Sequence, residues 1–143
     1  MAPRAAGDPV GLGQAMIVAG IGCRKDASAD DIRDVIADAL ARAGFGMKAL
    51  NAIAVPEMKG GEHGIAAAAA ALGVPLVLIP RADLEAAEPR AQTRSERVLA
   101  LMGVSSVAEA AALAAAGPSA SLIVPRIARG AATCALATSE ERS

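Results

Sequence analysis

The sequence predicts an α/β fold: a three-layer α/β/α sandwich around a mixed, mostly parallel five-stranded sheet that closes in a C-terminal β-hairpin. Short apolar runs rich in β-branched residues alternate with segments of helical periodicity, the pattern of a parallel sheet with crossover helices. The last two such runs follow each other across a glycine turn, which makes the sheet mixed. Of 143 residues, 54% are hydrophobic and 20% charged, enough to build a core and too apolar for a disordered chain.

Residues 1–15 carry Pro, Gly and Ala without periodicity and read as a flexible leader; 16–138 form the domain and 139–143 a tail. Met16 to Gly22 is the first strand, buried on both faces and ended by glycines. Ser28 caps a helix, with Asp31 in a capping-box position. Ile32, Val35, Ile36, Ala39 and Leu40 form its apolar stripe and Gly44 stops it. Leu50 to Val55 is the second strand, stopped by Pro56, and Glu62 to Leu72 an alanine-rich helix ended by Gly73. Leu76 to Ile79 is the third strand, and Ala82 to Glu88 forms one or two helical turns.

Ser95 can cap a helix carrying Val98, Leu99 and Met102, with Gly103 as its stop. Ser106 and Glu109 form a second capping box, opening a helix that runs to Ala116. Leu122 to Ile127 and Ala131 to Ala137 are the hairpin strands, flanking a turn at Ala128-Arg129-Gly130.

Composition excludes several functions. Net charge is −1, too little for a broad nucleic-acid footprint. Phe45 is the sole aromatic residue, so base-stacking platforms and aromatic cages are ruled out by supply. Cys23, Cys134 and His63 supply no zinc or Cys-pair redox spacing, and no metal or other cofactor is expected. The amino terminus has no apolar signal core and no apolar run is long enough to span a bilayer, which favours a cytoplasmic protein without a membrane partner.

In an open parallel sheet, ligands bind beyond the carboxyl ends of the strands. Cys23, Arg24 and Lys25 follow the first strand there, Glu57, Lys59, Glu62 and His63 the second, and Arg81 the third. Arg126 and Arg129 join them if the first hairpin strand runs in the same direction. Such a rim suits a ligand with several carboxylates or phosphates, although charged loops also serve simple solvation. The segment Gly20-Ile21-Gly22-Cys23-Arg24-Lys25 joins a buried strand to a helix N-terminus, with glycines that admit a tight turn or close ligand approach. It is neither a P-loop nor a complete dinucleotide fingerprint. Cys23 is a candidate nucleophile if the adjacent cations and helix end lower its pKa, with His63 as its base. The alternative is a small residue packed under a loop beside a surface histidine. Glu57 with Glu62 is open as an acid/base pair, and Cys134 reads as core.

Gly20 to Lys25, with Ser28 after it, resembles the opening G-I-G-C-R-K signature of the CobE/CbiG C-terminal domain family of cobalamin biosynthesis. Gly103 to Leu113 is similar to its G-V-x-S-V-A-E-x-A-A-L block, and Leu122 to Arg126 to its closing strand. The resemblance implies a place in corrin-ring construction, in the stand-alone CobE-like form. The implied ligand is a precorrin or corrinoid intermediate such as hydrogenobyrinic acid, gripped by Arg24, Lys25, Lys59, Arg81, Arg126 and Arg129 while Gly20 and Gly22 let backbone approach. Two rival functions stand beside it: hydrolysis of a precorrin lactone or acyl group, with Cys23 or an activated water attacking, and a scaffold for other cobalamin-pathway enzymes.

Overall fold

The computed structural model describes residues 16–92 and 106–139. Residues 1–15, expected as a leader, the expected helix after Ser95 and residues 140–143 lie outside them. In chain order the elements are β1 (Ile17–Cys23), α1 (Ala29–Arg42), β2 (Ala52–Pro56), α2 (His63–Leu72), β3 (Leu76–Ile79) and α3 (Arg81–Ala87), then α4 (Val107–Ala116), β4 (Ser121–Arg129) and β5 (Ala132–Thr138). Single 3₁₀ turns occupy Met47–Ala49, Glu57–Lys59 and Glu88–Arg90.

The sheet order is β3-β2-β1-β5-β4. β1, β2 and β3 pair in parallel, with Val18 opposite Ala52 and Ile53 opposite Leu76. β5 is antiparallel to both β1 and β4. Two reversals cancel, so β4 runs in the same direction as β1. The mixed sheet with its terminal hairpin agrees with the sequence expectation.

Helices cover both faces. On one, Ile32, Val35, Ile36 and Leu40 of α1 and Ile65 of α2 bury against Ile21, Ile53 and Leu136 of the sheet. On the other, Ala110 to Leu113 of α4 and Leu84 of α3 bury against Val18, Ala52, Ala54 and Ala137. Ser28 caps α1 through its Oγ, which accepts from the Asp31 N–H at 3.0 Å, and Gly73 closes α2 in the left-handed region at φ 69°.

Most boundaries shift by one or two residues, and β2 takes in Pro56, its expected stop. β1 reaches Cys23, because its ladder with β5 continues to the Cys23–Ala132 pair. Ala128 and Arg129 belong to β4 rather than to the turn. Gly130 at φ 58° lets the chain reverse over Gly130 and Ala131 alone. β2 begins at Ala52, after the 3₁₀ turn at Met47–Ala49 whose Met47 carbonyl accepts from the Leu50 N–H.

Candidate functional site

The sheet has one functional end by construction. Parallel strands place the loops after β1, β2 and β3 on one rim, and the direction of β4 brings the hairpin turn to the same rim. α4 also opens there. Its Ala112 lies against Gly20 and its Val107 and Ala108 against Gly22, so the helix runs opposite to β1. The first turns of α1, α2 and α4 therefore share the rim with the basic loops; Ser28 and Ser106 cap two of them, and Asp30, Asp31 and Glu109 offset part of their dipoles' positive end.

The loop after β1 is the best-built part. Arg24 extends the β1–β5 ladder by donating its N–H to the Ala131 carbonyl at 2.9 Å. Asp26 takes a left-handed conformation at φ 63°, and its N–H donates to Glu62 Oε1 at 2.9 Å. The first turn of α2 presses on the same loop. A Cβ placed on Gly64 would stand 2.0 Å from the Ala27 carbonyl oxygen, so only glycine admits this approach. From above, Asp31 Oδ2 accepts the Ala131 N–H at 3.3 Å and holds the hairpin turn over the start of α1.

Within this frame Arg24 and Lys25 are exposed, and Lys59 lies close enough to Cys23 to influence its ionisation. Glu62 and Asp31 are occupied by backbone N–H groups of the loop and the turn, which leaves Glu62 anchored rather than free for acid/base work. Glu57 opens the 3₁₀ turn after β2, exposed.

Of the two readings of Cys23, its surroundings favour the packed small residue over the nucleophile. Burial raises its thiol pKa above the ordinary 9.0; Lys59 opposes the shift and Glu62 adds to it. Burial outweighs the Lys59 charge, which disfavours the thiolate that an activated nucleophile needs. His63 is exposed at the start of α2, and no hydrogen bond joins it to Cys23 among the described residues. Cys134 is fully buried and its thiol is pushed far up by desolvation, as a core residue should be.

Gly20 also takes a role other than the expected one. It is buried, and an added Cβ would sit 1.9 Å from the Ala108 carbonyl oxygen and 2.9 Å from Ala112 Cβ. Its bare Cα admits a helix of the protein itself rather than a ligand. Gly22 is half-buried, its carbonyl accepting from Thr133 Oγ1 at 3.2 Å.

The remaining arginines do not converge, and Arg126 is not on the rim: Ile127 pairs with Cys134 and Cys134 with Ile21, which sets Arg126 level with the middle of β1. Four strand spacings of about 4.8 Å place β3 and β4 roughly 19 Å from each other. Arg81 begins α3 beside β3, its Nε donating to Glu85 at 3.1 Å. Arg129 ends β4 at the opposite edge and turns across α1 to Asp38 at 2.8 Å, so it is drawn away from the loops. Arg126 lies exposed in an irregular stretch of β4, where the register with β5 shifts between Val124 and Ile127.

That irregularity exposes a residue with no expected role beyond capping. Ser106 does cap α4, its Oγ accepting the Glu109 N–H at 3.3 Å. Glu109 is completely buried, and its carboxylate accepts the N–H of Arg126 at 2.8 Å and that of Gln92 at 2.6 Å. It satisfies backbone donors of two segments distant in sequence, a task no local pattern reveals. Gly64 is likewise silent in sequence, since an alanine-rich helix gives no sign of the loop it will meet.

The hollows among the described residues include two that bear on the rim's role. The larger, about 360 Å³, lies between α3 and the C-terminal half of α4, away from the rim. Its Arg90 is already committed to the carbonyls of Gly117, Pro118 and Ala120. The smaller, about 200 Å³, opens on the rim between the carboxyl ends of β2 and β3. No group of three metal-ligating side chains occurs among the described residues, and no described helix is long and apolar enough to cross a membrane.

Fold and rim together define the class: an α/β sandwich whose β1–β3 loops and helix starts meet at the carboxyl end of a parallel core. The profile of the cobalamin synthesis G C-terminus family matches residues 17–137, and the chain belongs to that family. It is 39% identical over 121 residues to the protein CobE of a Sinorhizobium species, covering 85% of this chain and 79% of that one. Among solved structures it is similar to CobE of the vitamin B12 biosynthetic pathway, at 34% identity and a TM-score of 0.84, with 91% and 94% of the two chains covered. The cobalamin biosynthesis protein chiG of Agrobacterium tumefaciens matches at 39% identity and a TM-score of 0.68, over 85% of this chain and 97% of its own. The chain is thus a cobalamin-biosynthesis protein of the CobE/CbiG C-terminal kind.

Proposed function

We propose that the protein binds a polycarboxylated precorrin or corrinoid intermediate on the rim at the carboxyl end of its sheet, as an accessory factor of corrin-ring construction. One observation carries this reading: the loop after β1, bearing Arg24 and Lys25, is clamped from both sides and shares its end of the molecule with Lys59 and with the first turns of α1, α2 and α4. A preformed cationic loop suits a ligand ringed by acetate and propionate groups, because carboxylates gain strong, directional hydrogen bonds to Arg and Lys. Preorganisation by Glu62, Gly64 and Asp31 lowers the ordering cost on binding. The fold family supplies the pathway, and the rim supplies the chemistry.

Absorbance titration with hydrogenobyrinic acid tests the reading, since a protein without Trp or Tyr leaves the ligand spectrum clear. Saturable binding that weakens with salt is expected, with at least about tenfold loss in the Arg24→Glu/Lys25→Glu double variant. Absence of a spectral change, or equal affinity in the charge-reversed protein, overturns it. For the hydrolytic alternative, the raised Cys23 pKa disfavours a thiolate nucleophile and leaves an activated water as the attacking group.

A further inference from the structure

The chain leaves the sheet in opposite directions at one place on the rim. After β2 it passes to α2, on the face lined by Ile65 and α1; after β3 it passes to α3, on the face lined by Leu84 and α4. Loops that part to opposite faces leave a crevice between adjacent strand ends, the position where open α/β sheets hold ligands. The hollow of about 200 Å³ lies there. Pro56, Ile79 and Leu84 line it, and Met58 stands at its edge, 60% exposed although apolar. Arg81 and Glu57 supply its polar groups.

The chemistry of this crevice is that of an aliphatic acid. The bond from Arg81 to Glu85 uses Nε, which steadies the guanidinium while its terminal amino groups can fork onto a carboxylate. The apolar wall and the flexible thioether of Met58 suit a short methylene chain. We propose that the crevice between β2 and β3 is a distinct subsite for one carboxylate-bearing aliphatic arm of the ligand. Arg81 takes the carboxylate, Met58 and Leu84 pack the methylenes, and Glu57 limits affinity by opposing the charge. The assignment rests on the polycarboxylate reading above and places one arm of that ligand at a defined spot, beside the clamped loop.

Titration of hydrogenobyrinic acid into the full chain and four single variants tests it. Arg81→Gln and Met58→Asp should each weaken binding about tenfold, and Glu57→Gln should tighten it roughly two- to threefold. Arg42→Gln, at the far end of α1, removes the same charge and should leave affinity unchanged. All four residues are solvent-exposed or at the crevice edge, and unchanged thermal midpoints would show that the fold is intact. The isotope-labelled Met58 methyl resonance should shift on binding. If the wild-type protein fails to bind, both the subsite and the general reading fall. If it binds and the Arg24/Lys25 pair matters while Arg81, Met58 and Glu57 do not, only the subsite falls. Equal losses for Arg42→Gln and Arg81→Gln would likewise overturn it, since they would reduce the effect to net charge.

Discussion

The two faces of the sheet reach the same burial by opposite means. On the α1 and α2 face, branched side chains of Ile32, Val35, Ile36, Ile53 and Ile65 fill the gap between helix and strand. On the other face, where α4 crosses β1, the gap barely exists. Ala108 and Ala112 of α4 lie against the bare backbone of Gly20. The first face gains stability from apolar area removed from water, the second from close backbone approach with little side chain between. The first should therefore tolerate reshaping and suffer from deletion, and the second should do the reverse. The difference also bears on function, because the close approach at Gly20 seats the start of α4 at the rim behind Gly22.

The largest loss should come from Gly20→Val. With a carbonyl oxygen 1.9 Å from the new Cβ, α4 must leave its seat, and a loss of roughly 3 kcal/mol or more is expected in denaturant unfolding. A near-wild-type midpoint would erase the contrast between the faces. Ile36→Ala, fully buried on the other face, should cost about 2–5 kcal/mol through a cavity, while Ile36→Val should cost only about 1. Similar losses for both variants would show that this face too depends on shape rather than area.

A smaller effect separates the two thiols. Cys23 should be alkylated by iodoacetamide slowly at pH 8, with a midpoint of the pH–rate curve above 9.0, and Cys134 only on unfolding. Both folded-state pKa values are raised. The stability gained by keeping these thiols neutral is full below the unfolded value and is lost as pH rises through the folded ones. Peptide mass spectrometry of timed samples reads both rates, and rapid labelling of Cys23 at neutral pH would revive the nucleophile. The smallest change should come from Arg129→Met. Its exposed pair with Asp38 is screened by solvent, so no resolvable shift in Tm is expected, and a clear loss would mark it as a clamp on the hairpin.

The limits of sequence reading follow the range of the interactions. Ser28 and Ser106 announce their helices because a cap bonds three residues away. Asp31 and Glu109 mislead by the same logic: both stand in capping-box positions, yet their carboxylates reach Ala131 and the Arg126–Gln92 pair. Glu62 is legible as a rim carboxylate, but its anchoring of Asp26 is not. Cys23 is misleading because nearby cations can be read in sequence while half-burial cannot.

Local chemistry settled a great deal unaided: which segments are strands or helices, where most begin and end to within a residue or two, and, through the glycine and cation signature, the family. Those features depend on periodicity, caps and turns spanning a few residues. Only the assembled molecule decided that β4 runs with β1, that Gly20 receives a helix, and that Arg129 turns to Asp38 away from the loops. Each of these depends on how segments far apart in the chain meet in space, where sterics and desolvation act between partners that no short window contains.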